Sequence, residues 1–347
     1  MTVYVLGAGA SHHAGYPLCG SMGSQLFDWM RNRVDAQGFE SRYPPAARFF
    51  EEQFGRVKNI EDLFTEIQKV IADGEHGTPD QQTLRTVAAN EQSALVNAIR
   101  GWFTEIRERH SAEAYARFAR EIVAPGDCII TFNYDVSLDR ELKLAGRFEV
   151  GDGYGFRIEK LPAKSATRLL KLHGSTSWLA LMFGGITSGP FQFELGNVLG
   201  RRPVIGKDEF AFLGYSNVAD PAFPRGGAAL PVMILPTRSK EFFFAANSGV
   251  EYVEFWGNLW QQAAEALRIT DRIVICGYSM PRADQRAREL LLASPKKDAE
   301  ILVASGADTQ RIVLDYHESG KLRAIAAEEI YFEKWVGNLD KGTAGAA

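Results

Sequence analysis

The chain has 347 residues, of which 46% are hydrophobic and 24% charged, and its formal net charge is −4. At roughly 100 to 200 residues per domain, this length suits one large domain or a core with a second module. The acidic balance argues against direct nucleic-acid binding, which needs a basic excess. No apolar run approaches the roughly 20 residues of a membrane helix, and the N-terminus lacks the basic segment of a secretory signal. We therefore expect a cytoplasmic protein without membrane attachment.

The three cysteines are widely separated in the sequence, at Cys19, Cys128 and Cys276. They form no CxxC pair, so neither a local zinc ribbon nor a disulfide framework is indicated. We expect the protein to bind no metal.

The first part of the chain predicts a strand, a tight turn and a helix. The apolar run Val3 to Leu6 reads as a buried strand that ends at Gly7, and a helix is expected to begin near Ser21. From about residue 35 to 125 apolar residues recur at helical spacing, with a break at residues 74–79. This pattern predicts a large helical insertion.

Strand-like runs and helical patterns alternate in the rest of the chain. Helical spacing occurs at residues 256–268 and 282–292, and short apolar runs occur at residues 128–132, 168–172, 232–235, 272–276 and 300–304. Alternation of this kind predicts an α/β fold, a Rossmann-like doubly wound parallel sheet that carries the helical insertion.

These patterns predict a single domain over residues 1–341 followed by a tail at 342–347. The expected parts of the domain are a core at about 1–30, 126–176 and 230–335, the helical insertion at about 35–125, and a loop or lid at about 177–230. The last segment is rich in Gly, Phe and Pro and has weak periodicity, which is typical of a loop or small subdomain beside a site.

A glycine-rich turn follows the first strand and consists of Gly7, Ala8, Gly9, Ala10 and Ser11. Such a turn lets backbone amides approach a phosphate, with the dipole of the following helix adding positive potential. A turn that only joins strand to helix stays an alternative. A dehydrogenase would have a third glycine where His12 stands and an acidic residue at the end of its second strand, so hydride transfer is disfavoured.

Two later strand-like runs end in polar residues: Asn133 and Asp135 in ITFNYD, and His173 in KLHGS. A neutral imidazole near pH 7 suits the transfer of one proton. Two structural alternatives stay open, since a lone histidine can be a core residue. Asn133 and Asp135 can likewise form an Asx turn at the start of a helix near Val136.

These strings together resemble the motifs of the sirtuin superfamily. The segment GAGAS..AGYP, from Gly7 to Pro17, is similar to its GAGxSxxSGIP turn, TFNYD to its TQNID, and KLHGS to its His-Gly. Gly277-Tyr278-Ser279 is similar to its later GTS turn. The matches cover the sheet core, about half of the chain, and leave both insertions unexplained.

The resemblance implies a Rossmann-like NAD domain and assigns roles within it. It implies that Asn133 holds the nicotinamide ribose or the attacking water, that Asp135 holds the carboxamide, and that His173 is the general base. It further implies that NAD contacts Gly7, Ala8, Gly9, Ala10, Ser11, Gly15, Tyr16, Pro17, Gly277, Tyr278 and Ser279. For Asp284, a helix cap and a contact at the adenosine end of the site both stay open.

The chain departs from deacylating sirtuins in two places. Their DFR after the glycine turn is replaced by Leu18-Cys19-Gly20, and their four-cysteine zinc module is missing. Both absences favour water as the acceptor. The chain resembles instead the sirtuin-like proteins of prokaryotic antiphage defence, which implies a single sirtuin-like catalytic domain that hydrolyses NAD+ to ADP-ribose and nicotinamide. An NAD-dependent protein deacylase or ADP-ribosyltransferase and a non-catalytic NAD or ADP-ribose sensor stay open.

An enzyme that destroys cellular NAD must be controlled, and no separate sensor domain is evident in the sequence. We expect a homo-oligomer formed through the helical face at about 35–125. The resemblance adds a HerA-like ATPase or another defence protein as a partner. The alternative is that the apolar stripes only pack on the sheet, the commoner use of amphipathic helices.

Overall fold

The computed structural model describes residues 1–33, 43–157, 164–182, 204–205, 212–213, 228–235, 237, 250–282, 284–321, 323–327 and 329–342. Most of the lid predicted at 177–230 and residues 343–347 of the predicted tail lie outside these ranges. The strands are β1 (Thr2–Leu6), β2 (Cys128–Thr131), β3 (Arg168–Lys171), β4 (Gly174–Met182), β5 (Val204–Ile205), β6 (Phe212–Leu213), β7 (Ala228–Met233), β8 (Arg272–Cys276), β9 (Glu300–Ala304) and β10 (Ala324–Ala326). The helices are α1 (Ala8–Ser11), α2 (Cys19–Arg31), α3 (Tyr43–Phe54), α4 (Ile60–Asp73), α5 (Pro79–Arg109), α6 (Glu113–Arg117), α7 (Ser137–Leu144), α8 (Val250–Ile269), α9 (Gln285–Ala293), α10 (Thr309–Glu318) and α11 (Phe332–Gly342).

Six of these strands form one parallel sheet in the order β10-β9-β8-β1-β2-β3. Numbered along the chain within this sheet, the strands run 6-5-4-1-2-3, which is the Rossmann order read from its other edge. Helices flank the sheet. The predicted α/β, Rossmann-like fold class is confirmed.

The central strand β1 explains why the sheet forms where it does. Its Val3, Val5 and Leu6 are fully buried, and a parallel strand covered on both faces is expected to be apolar along nearly its whole length. The Tyr4 ring contacts Phe118 edge to face, with 5.0 Å between ring centroids.

The predicted helical insertion is present and has its own hydrophobic core. The break expected at residues 74–79 is confirmed, because α4 ends at Asp73 and α5 begins at Pro79. Thr78 and Gln81 form a capping box at that start. The apolar stripes of α3, α4 and α5 pack with α2 in a cluster separate from the sheet core, whereas residues 113–122 pack on the sheet. The insertion's separate core therefore ends short of the predicted residue 125.

One predicted strand belongs to a different sheet. The run 232–235 was expected to join the parallel core, but β7 pairs antiparallel with β4 in a second sheet of order β5-β6-β4-β7. The short connection after β3 explains why β4, the pairing partner of β7, lies outside the parallel sheet. Only Leu172 and His173 separate β3 from β4, which is too short for a crossover back into a parallel sheet. The chain therefore leaves the core at His173.

The turns that follow β1 and β8 touch through their backbones, which three glycines permit. A Cβ at Gly7 would lie 2.6 Å from Tyr278 Cα, and one at Gly9 would lie 2.9 Å from Gly277 Cα. Gly277 has a φ of +61°, and a Cβ there would lie 2.2 Å from the Ala10 nitrogen. The close approach of neighbouring strand ends thus accounts for these glycines without any ligand.

We predict that Gly277→Ala lowers the free energy of unfolding by about 2 to 5 kcal/mol, because it combines a left-handed conformation with a backbone clash. Gly146→Ala is the matched control. Gly146 has a φ of +67° but no atom within 4 Å of its added Cβ, so its cost should be about 1 to 2 kcal/mol. Urea unfolding measures both variants, and equal losses would contradict the proposed crowding.

Candidate functional site

A cavity of about 330 Å³ lies at the carboxyl ends of the parallel strands, where the strand order reverses between β1 and β8. Ligands bind at this position in open α/β sheets. The cavity brings together most of the site residues predicted from sequence, namely Ala8, Gly9, Ser11, Tyr16, Pro17, Asn133, Asp135, His173, Gly277, Tyr278, Ser279 and Asp284. The predicted residues Gly7, Ala10 and Gly15 do not line it.

The cavity also has lining residues that sequence reasoning missed. The insertion supplies Ile60, Glu61 and Phe103, for which helical spacing gives no signal of a ligand role. Some residues could have been found by extending known motifs or strand ends, and these are Leu18, Cys19, Gly20, Phe132, Tyr134, Pro281 and Ser305. Ser305, for example, directly follows β9. Met22, Asp308 and Tyr331 also line the cavity, without a comparable signal in the sequence. The insertion is therefore one wall of the cavity.

The Ser11 hydroxyl joins the glycine turn to the segment after β2. Its Oγ donates to Asp135 Oδ2 at 2.6 Å and accepts from Asn133 Nδ2 at 2.9 Å. A hydroxyl has a single proton, so the Tyr115 hydroxyl, 2.8 Å from Ser11 Oγ, is its second donor. The side chains of Ser11, Asn133, Asp135 and Tyr115 form one buried network. The first three also line the cavity.

Asn133 and Asp135 each use part of their hydrogen-bonding capacity to hold the local backbone. Asn133 Nδ2 also donates to the Gly7 carbonyl at 2.8 Å, and Asp135 Oδ1 accepts from the Ser137 amide at 3.1 Å. The Asx turn considered from sequence is thus present at Asp135, which still lines the cavity. Burial raises the pKa of Asp135, while Lys171 and the Ser11 hydrogen bond oppose that shift.

A buried ion pair between Lys171 and Asp139 stabilises the segment around Asp135. Lys171, which is 1% exposed, donates through Nζ to the Asp135 carbonyl at 2.6 Å and to Asp139 Oδ2 at 3.0 Å. The Tyr154 hydroxyl donates to Asp139 Oδ1 at 2.6 Å. Burial raises the pKa of Tyr154 well above its usual value, so this hydroxyl stays protonated. Lys171 therefore ties the end of β3 to the Asp135 backbone.

His173 lies where the chain leaves the parallel sheet. It is 6% exposed, and its ring centroid lies 5.0 Å from that of Phe132. The Ile234 amide donates to the His173 carbonyl at 2.9 Å. His173 Nε2 lies 3.3 Å from Asp284 Oδ2. The second sheet and the loop before α9 thus both hold this residue.

One part of the cavity lining is polar, and an arginine joins the two loops that form it. The Ser305 hydroxyl is buried without a hydrogen-bond partner in the described part of the chain. Arg311 donates to the Ser279 carbonyl and to Asp308 Oδ1, the latter at 2.9 Å. It therefore joins the loops that follow β8 and β9, and both loops line the cavity.

The glycine turn uses some of its amides within the protein. The Gly9 amide donates to the Gly277 carbonyl at 2.8 Å, and the Ala10 amide donates to the Gly7 carbonyl at 2.9 Å. These two amides therefore already donate within the protein, although the sequence predicts that the amides of the whole turn approach a phosphate. Gly15 has a φ of +85°, and a Cβ added there would lie 2.8 Å from the His110 ring, so the shape of the turn requires glycine at this position.

Within the described ranges, no group of three or more His, Cys, Asp or Glu side chains is arranged to hold a metal ion. Cys128 and Cys276 are buried and Cys19 is exposed, and all three are free thiols. No helix among the residues described has the length and apolar character needed to cross a bilayer.

No known family model matches this sequence, and no curated protein matches it. Among solved structures, the chain is similar to that of Sir2Tm bound to a propionylated peptide, with 11% identity and a TM-score of 0.37 over 99% of this chain and 93% of that chain. A similarity at this level is too weak to carry an argument. The fold assignment therefore depends on the strand order and the parallel pairing described above.

We predict that Lys171→Met lowers the free energy of unfolding by about 3 to 5 kcal/mol, because it leaves Asp139 charged and buried without its partner. Lys69→Met is the matched control. Lys69 forms an exposed pair with Glu66 at 2.6 Å, and such pairs contribute about 0.2 to 0.5 kcal/mol. Chemical denaturation measures both variants, and similar small losses would contradict a structural role for the buried pair.

Proposed function

We propose that the protein hydrolyses NAD+ to ADP-ribose and nicotinamide. The observation that carries this proposal is the convergence of Asn133, Asp135 and His173 with the glycine turn around one cavity at the switch point of a Rossmann sheet. Dinucleotides bind at this position in such sheets. The cavity volume of about 330 Å³ falls within the range typical of small-molecule sites.

The charge of the cavity lining supports a ligand with a positive group. The lining has four carboxylic acids, Glu61, Asp135, Asp284 and Asp308, and neither Lys nor Arg among the described residues. Asp308 is paired with Arg311, which lies outside the lining. Such a lining favours the cationic pyridinium ring of NAD+ over a neutral ring. The pyrophosphate would then depend on backbone amides and hydroxyl groups, which Ala8 and Ser279 can supply.

The reaction needs only one bond cleavage and one proton transfer. The C1′–N1 bond breaks, its electron pair passes to the pyridinium nitrogen, and neutral nicotinamide leaves. Water then bonds to C1′ and gives its proton to His173, which releases that proton to solvent. In this scheme Asn133 orients the ribose or the water, and Asp135 holds the carboxamide. Orientation of this kind can supply a large part of the rate enhancement.

Water is proposed as the acceptor because of the residues beside the turn. Leu18, Cys19 and Gly20 line the cavity, where deacylating sirtuins carry the aromatic residue of DFR. An assay of nicotinamide release and acyl transfer distinguishes this proposal from a deacylase and from a non-catalytic sensor. Transfer to an acyl-lysine peptide would favour a deacylase, and binding without nicotinamide release would favour a sensor.

We predict that His173→Ala lowers the rate of nicotinamide release by about 10² to 10⁴-fold, which is the usual contribution of a general base. The loss should lie in kcat, because the imidazole is proposed to act on a proton. His317→Ala, on the exposed end of α10, is the matched control and should keep the wild-type rate. A folded His173→Ala protein with an unchanged rate would refute the general-base role.

We further propose that the activity serves antiphage defence by NAD depletion and is controlled by assembly of a homo-oligomer, with a HerA-like ATPase or another defence protein as a candidate partner. The support is that Ile60, Glu61 and Phe103 of the insertion line the cavity, so a partner that shifts the insertion would reshape the site. The apolar stripes of the insertion are buried in its own core, so the contact would have to use its polar surface.

We predict that assembly state and activity change together. Light scattering coupled to size-exclusion chromatography, run with and without NAD+, should detect an oligomer whose fraction follows the rate of nicotinamide release. A strict monomer with full constitutive activity would contradict control by assembly while leaving the hydrolase proposal intact.

A further inference from the structure

Asp284 occupies a helix-capping position without capping the helix. It is the N-cap residue of α9, and its carbonyl accepts from the Arg288 amide at 3.0 Å, as the first helical hydrogen bond requires. An Asp at this position normally accepts a hydrogen bond from an amide of the first turn. The Asp284 side chain makes no such bond. Its carboxylate instead lines the cavity and lies 3.3 Å from His173 Nε2.

Two features of the surroundings act on this pair: burial strengthens its electrostatic interaction but penalises an isolated charged carboxylate, and the terminus of α9 opposes that penalty. Asp284 is 4% exposed and His173 is 6% exposed, so water screens their interaction little. The position at the N-terminus of α9 stabilises the ionised carboxylate. A carboxylate that accepts a hydrogen bond from one ring nitrogen fixes the tautomer of a histidine and leaves the other nitrogen as the base.

We propose, resting on the hydrolase function above, that Asp284 is a positioning residue for His173. It accepts a hydrogen bond from His173 Nε2–H and thereby orients the ring with Nδ1 as the nitrogen that takes the proton. The proton passes from water to Nδ1, and the positive charge that forms on the ring is stabilised by the Asp284 carboxylate.

Two tyrosines lie close to His173 and Asp284. Tyr134, from the loop after β2, has its ring 6.3 Å from that of His173 and donates through its hydroxyl to the Ile234 carbonyl. Tyr278, from the loop after β8, stacks on Phe132, and the nearby Asp284 carboxylate adds to the rise in the Tyr278 pKa. Burial raises the pKa of both tyrosines well above the usual value, so they stay neutral across the range in which histidine titrates. Cys19, Glu61 of the insertion and Asp284 add to the rise in the Tyr134 pKa.

The test is a double-mutant cycle of nicotinamide release with wild type, Asp284→Asn, His173→Ala and the double variant. We expect Asp284→Asn to lower kcat by about 10-fold or more with little change in KM, and the double variant to be no slower than His173→Ala, because a positioning residue acts only through its partner. A direct ligand contact by Asp284 would instead raise KM and multiply the two losses, which would overturn the proposal. Asp298→Asn, at an exposed position, is the matched control.

The pH profile gives a second readout that a purely structural role would not move. A neighbouring carboxylate favours the protonated ring and raises the pKa of a histidine. Activity requires the neutral ring and is lost as pH falls through that pKa. Removing the carboxylate lowers the pKa, so the acidic limb of the profile for Asp284→Asn should move to lower pH. An unchanged profile with an unchanged kcat would overturn the proposal.

A spectroscopic measurement separates this inference from the hydrolase function. The chain has six histidines, so selective ¹⁵N labelling and assignment by His173→Ala can identify the His173 ring signals. We expect Nε2 to carry the proton in the neutral wild-type ring and Asp284→Asn to shift both ring signals. A wild-type protein that releases no nicotinamide would refute the hydrolase. An Nδ1–H tautomer, or signals that Asp284→Asn does not change, would refute the role of Asp284.

Discussion

The close approach of the turns after β1 and β8 is the constraint on which the site depends. The two strands are neighbours at the point where the strand order reverses, so the first and second halves of the sheet meet there. Gly7, Gly9 and Gly277 allow this contact because each added Cβ would lie less than 3.0 Å from the opposite backbone. With the two turns in contact, the glycine turn, the loop before α9 and the residues after β2 and β3 surround one cavity.

The polar network links the glycine turn to the candidate catalytic residues. Ser11 belongs to the first turn and bonds to both Asn133 and Asp135, while Lys171 holds the Asp135 backbone from the end of β3. His173 follows two residues later, where the connection to β4 is too short to return to the parallel sheet. Each candidate catalytic side chain therefore takes its position from a strand end, and the flanking helices and the second sheet restrict its movement.

Much of the fold and part of the site follow from local sequence patterns. Buried apolar runs predict the strands of the parallel sheet, and polar residues directly after such runs predict Asn133, Asp135 and His173 at one edge. The sheet to which β7 belongs could not be predicted, because antiparallel pairing with β4 depends on contacts distant in sequence. Glu61 and Phe103 could not be predicted as cavity residues, since helical periodicity indicates which face is buried but not what lies against it. The two alternatives weighed for Asp284 were likewise undecided by sequence, because both place the same residue before the same helix.

The most direct test of the account is the product balance of the purified protein with NAD+. Chromatographic quantification should give free ADP-ribose and nicotinamide in equal amounts, formed together as NAD+ disappears, without any added peptide or metal. Intact NAD+ under conditions in which the protein is folded and binds it would contradict the account. Nicotinamide released without an equal amount of free ADP-ribose would also contradict hydrolysis, because it would mean that the ADP-ribosyl group had passed to an acceptor other than water.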